Sequence, residues 1–328
     1  MKSTLTFAAA FAGSASAALY NISPDNHTCV LQPQYLSCSA KANPKTVDTC
    51  CTETFGGLVL ATQFWDTWAD KELPENTWTL HGLWPDFCNG SYTQYCDLKR
   101  QYDPVPSPNT TNGFPNGTIV PPYNGSNIGT FVEKFGRYDL LAWMNKYWIS
   151  QTGPNADFWG HEFSKHATCY STFDIPCYGP NYQQHEEVVD FFETTIGYYK
   201  KFPTFQWLQQ YGITPSNKTQ YNFIDIQDAL SAQHGAVPYL GCSGPRYNET
   251  AAGRNSHTND TGRTVLSEVW YNMHVLGRPQ DFHYVPVDSP AISGCSNATG
   301  AIWYYEQTAA DASPVHWNIT SNVTTYEY

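Results

Sequence analysis

The order of the predicted elements indicates an α+β fold, in which a mainly antiparallel central sheet is flanked by helices. Apolar, β-branched segments come first along the chain, helical patterns occupy the middle, and strand-like segments return near the end. Ten cysteines, an even number spread from Cys29 to Cys295, indicate five disulfide bonds. Because the cysteines span most of the chain, we expect one domain that is cross-linked by these disulfides.

Each element rests on a local pattern. Residues 57–65, GLVLATQFW, are apolar and β-branched, as is typical of a buried strand. Apolar positions at helical spacing predict helices over 131–149 and 185–202, and the second has acidic residues at its start and lysines at its end, as the helix dipole favours. A shorter helix at 224–234 is predicted to end before Gly235. Further strands are predicted at 77–80, 237–242, 265–275 and 282–287, and exposed polar loops at 101–129 and 246–263.

Both ends of the chain are predicted to lie outside the domain. Residues 1–17 have a charged start, a short apolar core and the small residues Ala15-Ser16-Ala17, which together predict a cleaved secretory signal. The folded domain is predicted over 18–296. Residues 297–328 carry several glycosylation sequons and little patterning, and they are predicted to be a glycosylated C-terminal extension.

The composition is typical of a secreted glycoprotein. No apolar run approaches the ~20 residues that a membrane span requires, so we expect no membrane association. The predicted location is secreted or extracellular, with a vacuolar or lysosome-like compartment as the alternative. N-glycosylation sequons begin at Asn21, Asn26, Asn89, Asn109, Asn116, Asn124, Asn217, Asn248, Asn259, Asn297, Asn318 and Asn322.

The segment 158–169, FWGHEFSKHATC, concentrates groups suited to catalysis. On a helix, Glu162 and His166 share a face, as do His161 and Lys165. A zinc site of the HExxH type needs histidines four residues apart, and Lys165 occupies that position, so zinc binding is disfavoured. A cation beside two imidazoles and a carboxylate favours proton transfer at a centre that develops negative charge. An amphipathic helix with a solvated polar face is the simpler alternative.

A second motif, TLHGLWPDFCNGSY, spans residues 79–92. His81 follows a predicted strand and precedes a rigid Trp-Pro-Asp turn, although a lone histidine is more often structural than functional. Together, the two motifs resemble the active-site segments of the ribonuclease T2 family, the secreted acid endoribonucleases. The resemblance covers roughly residues 29–296, including the order and approximate spacing of the ten cysteines. The loop near 103–128, the segment between the last two cysteines and the tail depart from it.

The resemblance implies cleavage of single-stranded RNA with low base specificity, through 2′,3′-cyclic phosphates that are hydrolysed to 3′-phosphates. It implies His166 as the general base and His81 as the general acid. Glu162 and Lys165 would stabilise the pentacoordinate phosphorane, and His161 would bind phosphate. The first base would contact Trp84, Asp86 and Tyr92, and the second would contact Gln63 and Phe158.

The resemblance also implies the partners and the cysteine pairing. Single-stranded RNA is the expected partner, and the enzyme is expected to be a monomer without an obligate protein partner. No metal or cofactor is implied, because the nucleophile is part of the substrate. The implied disulfides are Cys29–Cys51, Cys38–Cys88, Cys50–Cys177, Cys96–Cys169 and Cys242–Cys295.

The acidic balance of the chain opposes binding to a polyanion. The sequence has 29 acidic and 17 basic residues and a net charge of −12, whereas nucleic-acid binders usually present a basic face. We therefore expect a site that touches few nucleotides and works best at about pH 4 to 6, where one imidazole is charged and the other is neutral. The competing hypotheses are a catalytically inactive secreted scaffold of the same fold and a secreted zinc hydrolase.

Overall fold

The computed structural model describes residues 29–250 and 260–308 and confirms the α+β class. Its strands are β1 (Leu58–Phe64), β2 (Thr79–Asp86), β3 (Gln220–Tyr221), β4 (Tyr239–Arg246), β5 (Arg263–Val275), β6 (Tyr284–Pro286) and β7 (Ile302–Trp303). They form one sheet of order β2-β1-β5-β7-β3, in which β4 and β6 also pair with β5. Every strand pair is antiparallel except β5 with β7.

The helices of the described ranges lie mainly between β2 and β4 in the sequence. They are α1 (Gly129–Lys134), α2 (Tyr138–Tyr147), α3 (Asn155–Lys165), α4 (Glu186–Lys201), α5 (Thr204–Gln210) and α6 (Phe223–His234). The helices predicted at 185–202 and 224–234 are confirmed as α4 and α6. The single helix predicted over 131–149 is wrong, because Gly136, at φ 68°, separates α1 from α2.

Aromatic side chains join α3 and α4 to the sheet in one core. Phe163 of α3 packs edge-on against Phe191 and Phe192 of α4, and all three are fully buried. Burial of each phenylalanine stabilises the fold by roughly 2–3 kcal/mol. Helix α4 in turn packs on β1 and β2. The polar motif on α3 is therefore fixed relative to the histidine on β2.

A β-bulge interrupts the pairing of β1 with β2 at His81. Two consecutive residues of β1 pair with Gly82 and Leu80, which leaves His81 as an extra residue. In a regular strand His81 and Trp84, three residues apart, would face opposite sides of the sheet. Because the bulge shifts the alternation by one residue, both face the same side.

The predicted start of the C-terminal extension at residue 297 is wrong. Ile302–Trp303 forms β7 within the sheet, and Tyr304 is fully buried. Tyr304 packs edge-on against Trp65, and its hydroxyl accepts a hydrogen bond from the Trp78 indole. The folded unit therefore includes residues up to at least 308. Residues 309–328, like the predicted signal at 1–17, lie outside the described residues.

All five disulfides have the pairing implied by the resemblance: Cys29–Cys51, Cys38–Cys88, Cys50–Cys177, Cys96–Cys169 and Cys242–Cys295. The Cys96–Cys169 bond lies beside the C-terminal end of α3, so it fixes the segment that carries the second histidine of the motif. Within 29–250 and 260–308, no helix is both long and apolar enough to cross a membrane.

Candidate active site

Glu162 is the buried centre of the candidate site. Its carboxylate accepts a hydrogen bond from the Trp84 indole at 2.8 Å, and its other oxygen lies 3.4 Å from Nε2 of His81. A Cβ at Gly82 would lie 2.0 Å from the carboxylate, so only glycine leaves room for it. Burial favours the neutral form, but the neighbouring His81 and His166 outweigh it and lower the pKa of Glu162 to about 2. Glu162 is therefore an anion.

His81 lies between two carboxylates. Its Nδ1 donates a hydrogen bond to Glu268 of β5 at 2.7 Å, and its Nε2 faces Glu162. The imidazole stacks on Phe64, with ring centroids 3.7 Å apart, and the ring centroid of Phe158 lies 5.7 Å from it. Burial alone would lower the pKa of His81, but the two carboxylates outweigh it and raise the pKa to about 9. His81 is therefore a cationic proton donor at neutral pH.

His166 is held in the opposite protonation state. It is the residue that ends α3, with φ −111°, and its ring stacks on Trp84 with centroids 4.8 Å apart. Burial lowers the pKa of His166 well below its usual value, with Glu162 opposing and Lys165 adding to the decrease. A neutral imidazole is suited to accept a proton.

Lys165 and His161 supply hydrogen-bond donors beside this pair. The Lys165 ammonium donates to the backbone carbonyl of Ser107 at 3.2 Å. His161 Nδ1 bonds to the carboxylate of Asp103 at 2.7 Å, and that carboxylate also accepts from the hydroxyl of Tyr95 at 2.8 Å. Because Asp103 occupies Nδ1, the His161 ring is fixed with Nε2 available for a ligand.

The rings of the two motifs thus converge in one place. The centroids of His161 and His166 are 6.5 Å apart, and Trp84 contacts the rings of both His81 and His166. Over 29–250 and 260–308, no group of three or more histidine, cysteine or acidic side chains is arranged to hold a metal ion. The arrangement offers a proton donor, a proton acceptor and two anion-binding groups around one space.

Comparison with known proteins identifies the family. The model of the Ribonuclease T2 family matches residues 56–282, which include both motifs. The chain belongs to the ribonuclease T2 family. It is 32% identical over 291 residues to Ribonuclease T2 of Aspergillus oryzae, covering 88% of this chain and 89% of that protein. It is 39% identical over 241 residues to Ribonuclease Trv of Hypocrea rufa, covering 74% and 84%.

Structural comparison supports the same conclusion. The crystal structure of Actibind, described as a T2 ribonuclease, superposes with a TM-score of 0.64 at 32% identity and covers 84% of this chain and 97% of that one. Some relatives are longer: the chain spans 54% of the Ribonuclease T2-like protein of Aspergillus fumigatus, to which it is 37% identical over 266 residues. Endoribonuclease activity is the function that this family and the site have in common.

The three residues predicted for the first base of this ribonuclease have different surroundings. Trp84 is half-buried, since it donates a hydrogen bond to Glu162 and its ring stacks on His166. Asp86 is half-buried, and burial raises its pKa to about 7. Tyr92 is 60% exposed, so its ring is open to a ligand.

The prediction that Gln63 contacts the second base disagrees with its position. Gln63 is buried, donates its amide to a backbone carbonyl at 2.7 Å and accepts from the hydroxyl of Thr204 at 2.7 Å. Neighbouring strand residues point to opposite faces, so it is Phe64 that faces the site. Phe64 stacks on His81 and lies 6.4 Å from Phe158, the other residue predicted for this base.

Three residues of the site were missed by the sequence reasoning. Asp103 falls in a stretch predicted to be an exposed loop, and nothing local indicated its burial at 1% exposure. Phe64 was missed because the prediction for the second base named Gln63, the residue before it in β1. Glu268 had a detectable signal, because it is the single acidic residue of the strand predicted over 265–275. Nothing in the described residues favours the inactive-scaffold hypothesis.

Proposed function

We propose that the protein is a transphosphorylating endoribonuclease that cleaves single-stranded RNA with low base specificity. The observation that carries the proposal is the pair of histidines on two elements, with the pKa of one raised and the pKa of the other lowered around a buried carboxylate. In-line displacement at phosphorus needs a base on one side and an acid on the other. Neutral His166 and cationic His81 meet this need at the same pH.

In the first step, His166 removes the proton of the ribose 2′-hydroxyl, and the resulting oxygen attacks the adjacent phosphorus. The bond from phosphorus to the 5′-oxygen breaks, and His81 gives its Nε2 proton to that leaving oxygen. The products are a 2′,3′-cyclic phosphate and a free 5′-hydroxyl. In the slower second step the roles reverse, as His81 activates water and His166 returns its proton to the 2′-oxygen.

The extra negative charge of the phosphorane is met by Lys165 and His161. Burial lowers the pKa of Lys165, with Glu162 and Asp103 opposing the decrease. A preorganised donor of this kind contributes about 10²- to 10³-fold to the rate. Asp103 fixes the ring of His161, so the second donor needs no reorientation when substrate binds.

Glu162 acts on the phosphorane indirectly in this proposal. An ionised carboxylate cannot donate a hydrogen bond to a phosphorane oxygen. Its effects are to keep His81 protonated and to hold the Trp84 indole beneath His166. Glu268 also keeps His81 protonated, because it accepts a hydrogen bond from Nδ1, the other ring nitrogen.

Base recognition is proposed to depend on stacking, which tolerates every base. Tyr92 and Asp86 receive the base on the 5′ side of the scissile bond, and Phe64 with Phe158 receives the base on the 3′ side. The net charge of −12 limits affinity for the rest of a polyanion. Weak binding of this kind suits a secreted or vacuolar, monomeric enzyme that degrades RNA.

Product analysis on a dinucleoside monophosphate tests the proposal. We expect a 2′,3′-cyclic phosphate to accumulate before a 3′-phosphate, and we expect the rate to be unchanged by EDTA. A product with a 5′-phosphate, or loss of activity with the chelator, would contradict the mechanism and favour metal-dependent hydrolysis. Absence of any cleavage would favour the inactive scaffold.

A further inference from the structure

A cleft outside the catalytic cluster contains two arginines that face each other across a strand pair. It has a volume of about 570 Å³ and is lined by Tyr239, Arg246 and Arg263 together with Asp260 and Asn297. Arg246, the last residue of β4, pairs directly with Arg263, the first residue of β5. Like charges opposite each other on neighbouring strands are destabilising unless something compensates them.

Neither guanidinium is neutralised within the described part of the chain. Arg246 donates to the backbone carbonyl of Thr261 at 3.2 Å, and Arg263 donates to that of Gly244 at 2.8 Å. Over 29–250 and 260–308, no carboxylate lies within ion-pair distance of either one. Each guanidinium has five N–H donors, so most of them are available to a ligand.

The one carboxylate that lines the cleft has other partners. Asp260 accepts from the hydroxyl of Ser296 at 2.5 Å and from the backbone amides of Gly262 and Ala298, both at 2.8 Å. These bonds compensate much of its negative charge locally. In a chain of net charge −12, two facing arginines without a counter-charge are therefore a local site for an anion.

Stacked rings join this cleft to the catalytic cluster. Tyr239 stacks on Trp270, with centroids 4.0 Å apart and 25° between the planes. Trp270 in turn contacts Trp84 edge-on at 5.3 Å, and Trp84 lies beneath His166. An RNA strand that leaves the scissile bond along this row would reach the arginines after the tyrosine.

We infer that the cleft formed by Tyr239, Arg246 and Arg263 is an outlying subsite that binds the phosphate backbone of single-stranded RNA beyond the two nucleotides at the scissile bond. The inference rests on the proposed endoribonuclease function. Arginine forks match phosphate oxygens, and an aromatic ring beside a basic groove is the usual platform for single strands. The subsite gives a long substrate an attachment that a dinucleotide cannot use.

Kinetics on two substrate lengths test the subsite. In the double variant Arg246→Gln/Arg263→Gln, we expect KM for a twelve-nucleotide RNA to rise about tenfold at unchanged kcat. Both parameters for a dinucleoside monophosphate should stay at the wild-type values. The control Lys41→Gln/Lys45→Gln removes the same charge from exposed residues elsewhere. N-glycans are trimmed first, because Asn297 lines the cleft.

Binding of a 2′-O-methyl twelve-nucleotide RNA, followed by fluorescence anisotropy, tests the cleft without catalysis. Loss of two phosphate contacts should reduce the slope of log K against log salt by about 1.4. An equal loss in the lysine control, or a slope unchanged in the arginine variant, would overturn the inference. Failure of the wild-type protein to cleave either substrate would contradict the proposed function instead, and the anisotropy result would still decide on the cleft.

Discussion

The indole of Trp84 lies face to face with the imidazole of His166, with 4.8 Å between the ring centroids and 17° between the planes. The same indole donates its N–H to Glu162. One side chain therefore removes His166 from water, which keeps that imidazole neutral, and holds the carboxylate that keeps His81 charged. This contact links the two motifs, and with them the two histidines of the proposed acid–base pair.

Replacement of either catalytic histidine should abolish turnover without abolishing RNA binding. For His81→Phe and His166→Phe we expect kcat on a dinucleoside monophosphate to fall by at least 10³-fold, since each ring transfers a proton in the proposed mechanism. The Kd for a 2′-O-methyl oligonucleotide should change by less than about fivefold. His283→Phe, at an exposed position, is the matched control. Normal rates in either catalytic variant would remove the assigned roles.

Glu268→Gln should change the pH profile as well as the rate. The amide oxygen can still accept the Nδ1 hydrogen bond, but the negative charge that helps to raise the pKa of His81 to about 9 is lost. We expect kcat to fall about tenfold and the alkaline limb to move to lower pH. Glu306→Gln provides the control, because Glu306 bonds to Asn217 at the surface. An unmoved alkaline limb would mean that Glu268 has only a structural role.

The pH dependence of kcat/KM should show two limbs with separate causes. Activity rises with pH as His166 loses its proton, at a pKa well below its usual value, and falls as His81 loses its proton near 9. Asp66, which interacts with His81 and Glu268, and Asp86 both have the pKa raised by burial to about 7, so they become anionic above that pH and repel RNA. The optimum should therefore lie on the acidic side of 7. A maximum above about pH 8 would contradict the assignment.

Substitutions at Phe64 and Gln63 should affect different properties. The first should weaken substrate binding, and the second should lower stability. Phe64→Ala removes an apolar wall beside His81, so KM for a dinucleotide should rise about tenfold with a small change in Tm. Gln63→Ala removes one hydrogen bond from the backbone carbonyl of Phe202 and one from the hydroxyl of Thr204, so the free energy of unfolding should fall by about 1–3 kcal/mol at unchanged KM. The reverse pattern would restore Gln63 as the base-binding residue.

Gly82→Ala should lower activity, because a side chain at this position of β2 would displace groups of the site. The added methyl group would lie 2.0 Å from the carboxylate of Glu162 and 2.7 Å from the indole nitrogen of Trp84. We expect kcat to fall about 10²-fold, because displacement of the carboxylate lowers the pKa of His81 and tilts the indole. Measurement of Tm alongside kcat distinguishes local displacement from unfolding. Wild-type kcat would show that the carboxylate can move at no cost.

Sequence reasoning found the fold class and the polar groups of both motifs, because their chemistry is local in the chain. Glu162 and His166 share a helical segment, and their types alone indicate proton transfer. Glu268 and Asp103 reach the histidines only through strand pairing and loop packing, so no local pattern connects them to the site. The disagreement between the predicted role of Gln63 and its buried position has the same origin, since a shift of one residue exchanges the two faces of a strand.

The extra residue in β2 makes the count of residues between His81 and Trp84 as important as their identity. As long as the bulge is kept, the deletion or insertion of one residue between them would turn the imidazole and the indole to opposite sides of the sheet. We therefore expect the length of this short stretch to be constrained more tightly than the length of the surface connections. Searches for distant homologues, and libraries that graft the motif onto other scaffolds, should hold its length constant and allow substitution around it.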